Sequence, residues 1–274
     1  MTRSVGDMLN AFTVDLEDWF CVGNMERIFP PHAWREQELR IERPAVRILE
    51  LLKKHGVRAT FFVLGWIAER CPEIVRKIRD AGHEIGLHGH MHQRVTSMTS
   101  GEFESDLRAA FDAVSSVVPR EAIAGYRAPS FSVVEKTSWA LDIIASLGLK
   151  YDSSIVPFSG HPDYGWKETP KAIHRLPQGI AEVPMTPCFG GGYFRLFPYT
   201  VTKYIGRQAN RRGMPAIFYC HPWELDPDQP KIPLPPAKRF RHYVNLNRTE
   251  PRIDRLLSDF RFGSIGEVLS ENGF

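Results

Sequence analysis

The sequence predicts an α/β fold, a distorted or incomplete (β/α) barrel of about seven strands in a single domain. Short apolar runs alternate with longer amphipathic segments, which is typical of parallel strands covered by helices. The 274 residues, 43% hydrophobic and 24% charged, can build a core of barrel size. No G-x-G-x-x-G follows the first apolar run, which disfavours a doubly wound open sheet.

In the first half of the chain, apolar periodicity and terminal glycines mark the elements. Val46, Leu49 and Leu52, followed by Gly56, predict a helix that ends at His55. The run ATFFVL is β-rich and predicts a buried strand. The predicted elements here are strand Ala11–Leu16, helix Pro44–His55, strand Ala59–Leu64, helix Pro72–Ala81, strand Glu84–Leu87 and helix Ser100–Val118.

The second half continues the alternation up to a proline-rich stretch. The predicted elements are strand Ala124–Arg127, helix Glu135–Leu147, strand Ile180–Val183, strand Ala216–Cys220 and a tail helix at Glu250–Phe260. Five prolines over Asp226–Pro236 exclude a regular helix and predict an extended surface segment. We therefore expect one domain over residues 1–274, with a C-terminal extension from about residue 225.

Composition narrows the class of protein. The formal net charge is +3 and the basic residues are scattered, so nucleic-acid binding is not expected. Met1–Asn10 has no apolar core like that of a secretory signal, and no apolar stretch reaches the length of a transmembrane helix. The cytoplasm is the expected location. The four cysteines are widely spaced and are expected to be free thiols. They are Cys21, Cys71, Cys188 and Cys220.

Reactive residues follow four of the predicted strands. In an α/β barrel, functional groups gather where strands end and loops begin. The four segments are Thr13–Asp18 (TVDLED), His88–His92 (HGHMH), Tyr126–Pro129 (YRAP) and Phe218–Trp223 (FYCHPW).

His88 and His92 have the i, i+4 spacing that brings two imidazoles to one face of a helical turn. With a nearby carboxylate they would form a set of two histidines and one acid, able to bind Zn, Fe, Co or a similar divalent ion. Spacing alone does not choose among these ions. His90 lies two residues from each and is expected to point elsewhere, next to the ligands or to solvent.

These segments resemble the polysaccharide deacetylase family with the NodB-type homology domain. TVDLED loosely matches a motif that ends a first strand with a base Asp and a metal Asp. His88 and His92 match the ends of H-[ST]-x-x-H, although Gly89 replaces the hydroxyl residue. RAP fits the R-x-P motif, and His221 fits a late-strand histidine. Longer strings, including VDLEDWF, GYRAPSFS and FYCHPWELDPDQP, are similar to the branch encoded near exosortase (PEP-CTERM) exopolysaccharide loci.

The resemblance implies metal-dependent hydrolytic removal of N-acetyl groups from a polysaccharide or its precursor. It implies that Asp15 is the base, that His88 and His92 bind the metal and that His221 is the acid. Arg127 would hold Asp15 by a bidentate contact. Zn is the expected ion, with Co, Fe or Ni as alternatives. Since no export signal is seen, a lipid-linked oligosaccharide at the inner membrane face is an alternative to finished polymer.

The third metal ligand stays open between two acids. Strand alternation puts Glu17 on the same face as Asp15, whereas a turn after Leu16 would bring in Asp18, which keeps the residue type of the family. The acid that does not bind the ion is expected to hydrogen-bond a ligand.

Three further segments carry weaker expectations. Asp152 is expected to cap a turn with Ser153 and Ser154, with a role in the site as the alternative. Trp223 would either join the core or stack on a sugar ring. Gly190–Gly192 predicts a flexible loop that presents a sugar-binding segment. The residues of that segment are Tyr193, Phe194 and Arg195.

Two other functions compete with deacetylation of a polymer. One is hydrolysis of small cyclic amides, which would need a closed pocket rather than an open groove. The other is carbohydrate binding without catalysis, on a decayed site. Against decay, every residue type that the chemistry needs is present. These residues are Asp15, Arg127, His88, His92 and His221.

Overall fold

The computed structural model describes residues 8–158 and 164–274; His161, to which the sequence assigned no role, and most of the N-terminal segment Met1–Asn10 lie outside them. The strands are β1 Asn10–Leu16, β2 Thr60–Val63, β3 Glu84–Leu87, β4 Ile123–Tyr126, β5 Tyr151–Asp152, β6 His174–Arg175, β7 Ala181–Glu182, β8 Ile217–Cys220 and β9 Phe262–Gly263. The helices are α1 Glu42–His55, α2 Gly65–Arg70, α3 Pro72–Asp80, α4 Ser100–Ser115, α5 Ala140–Ser146, α6 Gly191–Leu196, α7 Tyr199–Arg211, α8 Pro236–Tyr243, α9 Leu246–Asp259 and α10 Ile265–Glu271.

The strands form one sheet in the order β6-β7-β5-β4-β3-β2-β1-β8, and β9 also pairs with β1. Every pair is parallel except β6–β7. The segment after β7 reaches the other edge, where Thr186 Oγ1 accepts a 2.9 Å bond from Ile217 N and Gly190 bridges Tyr219. The sheet therefore curls into an incomplete barrel, and the predicted fold class is confirmed.

The central strands are buried on both faces. All seven residues of β1 are buried, as are all four of β2 and of β4. Inside the barrel, small residues make room for rings: a Cβ on Gly125 would lie 2.3 Å from the Tyr151 ring, and one on Gly86 would lie 2.7 Å from Phe62. This packing explains why the strands have continuous apolar runs rather than alternating ones.

The predicted boundaries hold best for the central elements, and β3 spans the predicted Glu84–Leu87. The predicted helix over Glu135–Leu147 is wrong in its first part, since a 3-10 turn at Glu135–Thr137 precedes α5. The tail helix begins at Leu246, not at Glu250. The structure has nine strands among its described residues rather than about seven, because two-residue strands such as β6 are too short for a periodicity signal.

Two expectations from composition also have outcomes. All four cysteines are free thiols, as predicted. In the described parts of the chain, no helix is both long enough and apolar enough to cross a membrane. The proline-rich stretch runs without regular helix from Asp226 until α8 begins, at Pro236.

Candidate active site

The reactive segments meet at the carboxyl ends of β1, β3, β4 and β8, where they line a cleft of about 700 Å³. Parallel pairing in register brings the ends together, since Asp15 is level with Phe62 of β2, and Val14 with Cys220 of β8. Residues distant in the sequence thus share one cavity. The predicted site residues in its lining are Asp15, Glu17, His88, His92, Tyr193, Arg195, His221 and Trp223.

Glu17 lies at the centre of the site. Its Oε1 is 3.4 Å from His88 Nε2, 3.5 Å from His92 Nε2 and 3.4 Å from His221 Nε2. Although burial opposes ionisation, the charges of His92 and His221 hold the pKa of the Glu17 carboxyl well below its usual value. The Oε2 atom is buried and has no hydrogen-bond partner among the described residues.

The tautomer of His88 is set by its surroundings. His88 Nδ1 lies 2.8 Å from the carbonyl oxygen of Arg127, and since a carbonyl only accepts, Nδ1 carries the proton. In the neutral ring, the lone pair on Nε2 then faces the Glu17 carboxylate. A cation between these two groups would remove the conflict between them.

Such a donor set fits a divalent ion. The ligand atoms of Glu17, His88 and His92 all lie within 4.8 Å of one another, and two imidazoles with one carboxylate are a common set for zinc and similar metals. The unsatisfied Glu17 Oε2 and the orientation of the His88 ring also support a metal site here. The first two predicted ligands and one of the two alternative acids therefore come together.

The prediction of a helical turn over the histidine segment is wrong. His88–His92 is a loop, with positive φ at Gly89 (73°) and at His92 (51°). The two rings still meet, with centroids 5.4 Å apart. Gly89 is needed because a side chain there would be strained and its Cβ would lie 3.0 Å from Asp106 Oδ2.

Asp106 of α4 anchors this loop, and the sequence analysis did not single it out. Its carboxylate accepts from His90 N (2.9 Å) and Met91 N (3.3 Å). The His90 side chain turns away from the other histidines and packs against Gly65, where a Cβ would lie 2.4 Å from His90 Nδ1. His90 is thus outside the ligand set, in agreement with the expectation.

Asp18 lies apart from the histidines. Its Oδ1 accepts from Trp19 N (2.7 Å), and its Oδ2 accepts from Arg40 N (2.8 Å) and Ile41 N (3.0 Å). These three amides tie the end of β1 to the start of α1. The structure therefore brings Glu17 to the histidines, and Asp18 neither joins them nor contacts them.

Asp15 and Arg127 form a buried ion pair through one hydrogen bond, Arg127 Nη1 to Asp15 Oδ1, at 2.8 Å. The expected bidentate contact is wrong, because the guanidinium also donates to Thr13 Oγ1 (2.7 Å) and to Ser153. Asp15 Oδ2 is left facing His221 Nε2 at 3.8 Å. One carboxylate oxygen is thus held and the other faces the cleft.

His221 is held from behind by Glu224, a residue that the sequence analysis missed. Glu224 Oε1 lies 2.5 Å from His221 Nδ1, and Glu224 itself is fully buried and 3.3 Å from Arg195 Nε. Burial disfavours the charged ring, but the charge of Glu17 and the hydrogen bond that His221 donates to Glu224 outweigh it and raise the pKa of His221 to about 9. A carboxylate three residues after a candidate acid histidine was the available signal.

The glycine-rich segment differs from the prediction. A flexible loop was expected over Gly190–Gly192, but Gly191 and Gly192 form the first turn of the short helix α6, so that expectation is wrong. Phe194 is a core residue, and Arg195 is buried, donating to the carbonyl oxygens of His242 (2.8 Å) and Val244 (3.0 Å). Of the two aromatic residues in this segment, Tyr193 lines the cleft and Phe194 does not.

Trp223 belongs to the core rather than to a sugar platform. It is 5% exposed and stacks between His221 and His242, with the His242 ring 4.5 Å away at 3°. Asp152 caps the predicted turn, accepting from Ser154 N (3.0 Å) and Ser154 Oγ (2.6 Å). Asp152 is fully buried and does not line the cleft.

Two family models match separate parts of this chain. Residues 42–151 match the polysaccharide deacetylase family model, and residues 153–270 match a domain of unknown function (DUF3473). Over residues 42–151 the chain is therefore similar to polysaccharide deacetylases. Strands β8 and β9, which lie in the second matched region, pair with β1 at the centre of the same sheet.

Among curated proteins, the chain is similar to a peptidoglycan deacetylase of Helicobacter pylori, with 32% identity over 118 residues (43% of this chain and 39% of that protein). It is also similar to a chitooligosaccharide deacetylase of Rhizobium leguminosarum, with 34% identity over 77 residues (28% and 36%). The chain thus spans less than half the length of the curated relatives it matches.

Two solved structures share the fold over almost the whole chain. One, described as a polysaccharide deacetylase from Mycobacterium smegmatis, has a TM-score of 0.66 and 18% identity, covering 98% of this chain and 92% of that one. The other is a family 4 carbohydrate esterase from Streptomyces lividans in complex with acetate, with a TM-score of 0.52 and 15% identity, covering 94% and 92%. At these identities, the likeness concerns the fold.

Proposed function

We propose that this protein removes N-acetyl groups hydrolytically from a saccharide, using one divalent metal ion held by Glu17, His88 and His92. The observation that carries the proposal is the placement of Glu17 Oε1 within 3.5 Å of three imidazole Nε2 atoms, beside the held carboxylate of Asp15. The bound ion would polarise the acetyl carbonyl and lower the pKa of a water. Zinc is the first choice of ion, on the chemistry of the ligands.

Asp15 is the proposed general base. Its ion pair with Arg127 orients the carboxylate, and the single hydrogen bond on Oδ1 leaves Oδ2 to take a proton from the attacking water. The buried position of Arg127, 0% exposed, keeps this orientation fixed. Asp15 thus has a carboxylate oxygen that is free of the ion pair and faces the cleft, as a general base requires.

His221 is the proposed general acid. Because its pKa is raised to about 9, the ring is an imidazolium at neutral pH and can give a proton from Nε2 to the leaving amine. Glu224 holds Nδ1 and so directs Nε2 towards the cleft. Base and acid face each other across 3.8 Å, from Asp15 Oδ2 to His221 Nε2, at the floor of the same cavity.

The shape of the cleft favours a saccharide chain over a small cyclic amide. The cavity of about 700 Å³ reaches the surface, since exposed side chains such as Arg27, Lys238 and Leu196 belong to its lining. Tyr164, Tyr193 and Tyr219 add aromatic surface, which suits sugar rings. The polysaccharide deacetylase match over residues 42–151 supports the same substrate class.

The test is acetate release from N-acetylglucosamine oligomers by metal-loaded protein, with metal content measured by elemental analysis. Asp15→Asn should keep the ion and lose roughly 10²–10⁴ in turnover, which is the usual contribution of a general base. Asp228→Asn, an exposed acid outside the cleft lining, is the matched control and should behave like the parent. Oligomer binding without turnover would mean a binding protein, and turnover of cyclic amides alone would mean an amidase; either result overturns the proposal.

A further inference from the structure

The mouth of the cleft carries an excess of positive charge. Apart from buried Arg195, which is paired with Glu224 on the floor, four basic side chains belong to its lining, and one acid outside the floor, Glu26, accompanies them. The four are Arg27, Arg94, Lys238 and Arg241. Arg94 is paired with Glu26 at 2.8 Å.

The acids on the cleft floor do not compensate the other three cations, because each floor acid already has a partner. Asp15 is paired with Arg127, and Glu224 lies between His221 and Arg195. Glu17 faces the histidines. Within the described ranges, neither Arg27 nor Lys238 has a carboxylate partner, and Arg241 donates to the neutral side chain of Asn24.

The three cations come from two distant segments that meet at the cleft. The bond from Arg241 to Asn24 joins α8 to the connection between β1 and α1. Arg27 is three residues beyond Asn24, and Lys238 is one helical turn before Arg241. Their exposure at a cleft wall fits recognition of a solvated anion rather than a structural role in the core.

We infer that the saccharide bound in this cleft carries a negatively charged group, a carboxylate or a phosphate, next to the sugar that reacts. Guanidinium and ammonium groups bind both anions, and arginine matches their planar or forked oxygens. This inference rests on the proposed deacetylase function and narrows its substrate class. The two sources of the anion are a uronate within the glycan and a phosphate at its reducing end.

The experiment compares three substrates in acetate release and, separately, in calorimetric binding. They are the neutral, fully N-acetylated chitotetraose (four N-acetylglucosamine units), a hyaluronan hexasaccharide, which carries carboxylates, and the same N-acetylated chitotetraose with a 1-phosphate. For the parent, we expect at least one anionic substrate to exceed the neutral one roughly tenfold in kcat/KM at low salt, with the preference falling as ionic strength rises from about 0.02 M to about 0.5 M. Which of the two is preferred identifies the source of the anion.

Substitutions of the cations at the cleft mouth test whether these side chains cause the preference for anionic substrates. Arg27→Gln and Lys238→Gln should each raise KM for the preferred anion about two- to fivefold, and together about tenfold, while kcat and the KM for chitotetraose stay unchanged. Arg43→Gln and Lys53→Gln, exposed cations of α1 outside the cleft, are the matched controls and should have no effect.

Equal binding of neutral and anionic oligosaccharides by the parent, or an anion preference that survives the double variant, would overturn the inference. Calorimetric binding is also measured with Asp15→Asn, so that the affinities for neutral and anionic oligosaccharides can be compared without turnover. If the anion preference is present but acetate is never released, the proposed function fails while the charge recognition stands.

Discussion

Replacing Glu17 with Gln should remove most of the bound metal while leaving the fold intact. The amide keeps the volume of the side chain but loses the charge and one of the two carboxylate oxygens, of which Oε1 faces His88 and His92. Residues that only support a ligand change metal affinity about 10–100-fold. A direct ligand should exceed that range, so we expect a loss of more than about 100-fold, or more than about 2.7 kcal/mol of binding free energy.

Asp18→Asn gives the opposite pattern. An amide can turn its oxygen to the N–H of Trp19 or to those of Arg40 and Ile41, but not to both sides, and its own NH₂ then faces a donor. Leaving such a buried donor unsatisfied costs about 1–3 kcal/mol of stability. For a chain of this size, this lowers the Tm by roughly 2–4 °C per kcal/mol. Metal affinity should fall by no more than about 10–100-fold.

Two measurements separate these outcomes. Competition with a fluorescent chelator gives metal affinity, and thermal unfolding in EDTA gives stability without metal. Glu121→Gln, an exposed acid with no role in the site, should match the parent in both. If Glu17→Gln held the ion as tightly as the parent while Asp18→Asn released it, the assignment from the geometry would be refuted.

Three further predictions concern residues around the site. Glu224→Gln should lower turnover by roughly 10–100-fold. A pH–rate profile should show its alkaline limb moving to lower pH, because one of the carboxylates that raise the pKa of His221 is gone while Glu17 remains; an unmoved limb would count against this role. Asp106→Ala should weaken metal binding about 10–100-fold in the chelator assay, because the histidine loop loses its anchor; full affinity would mean that the loop holds itself. Burial lowers the pKa of His242 to about 3, so the unfolded chain takes up a proton below pH 6.5 that the folded chain does not, and stability falls as pH falls. Chemical denaturation should therefore show His242→Gln losing about 2 kcal/mol less than the parent between pH 8 and pH 5, whereas exposed His32→Gln should follow the parent.

Much of the fold could be predicted because its signals are local. Strand β2, for example, lies in the β-rich run ATFFVL with Gly65 directly after it, and these signals depend only on neighbouring residues. Strand β7 lies inside the predicted strand Ile180–Val183. The other two-residue strands could not be predicted, since strands such as β5 and β9 form only where a neighbouring strand lies beside them. The first part of the predicted helix at Glu135–Leu147 failed for a related reason: apolar residues were present, but the backbone there follows the packing of a turn.

The site shows the same division. The sequence identified the pair His88 and His92 from spacing, but derived it from a helical turn, whereas the structure joins the two rings through a loop with two residues of positive φ. Glu224 was missed because its role depends on the fold, which buries it completely behind His221. The spacing of two residues in the sequence therefore indicates that their side chains can meet, but it does not show which backbone conformation brings them together.

By itself the sequence determined the alternating α/β architecture and the chemical types at the ends of its strands, because periodicity and residue identity are properties of the chain. Only the tertiary structure decided which of the two acids, Glu17 or Asp18, faces the histidines. Both acids follow the same strand within two residues, and local rules allow either to turn inward. The choice was made by three backbone amides, two of them more than twenty residues away in the sequence, which hold Asp18 and leave Glu17 facing the histidines.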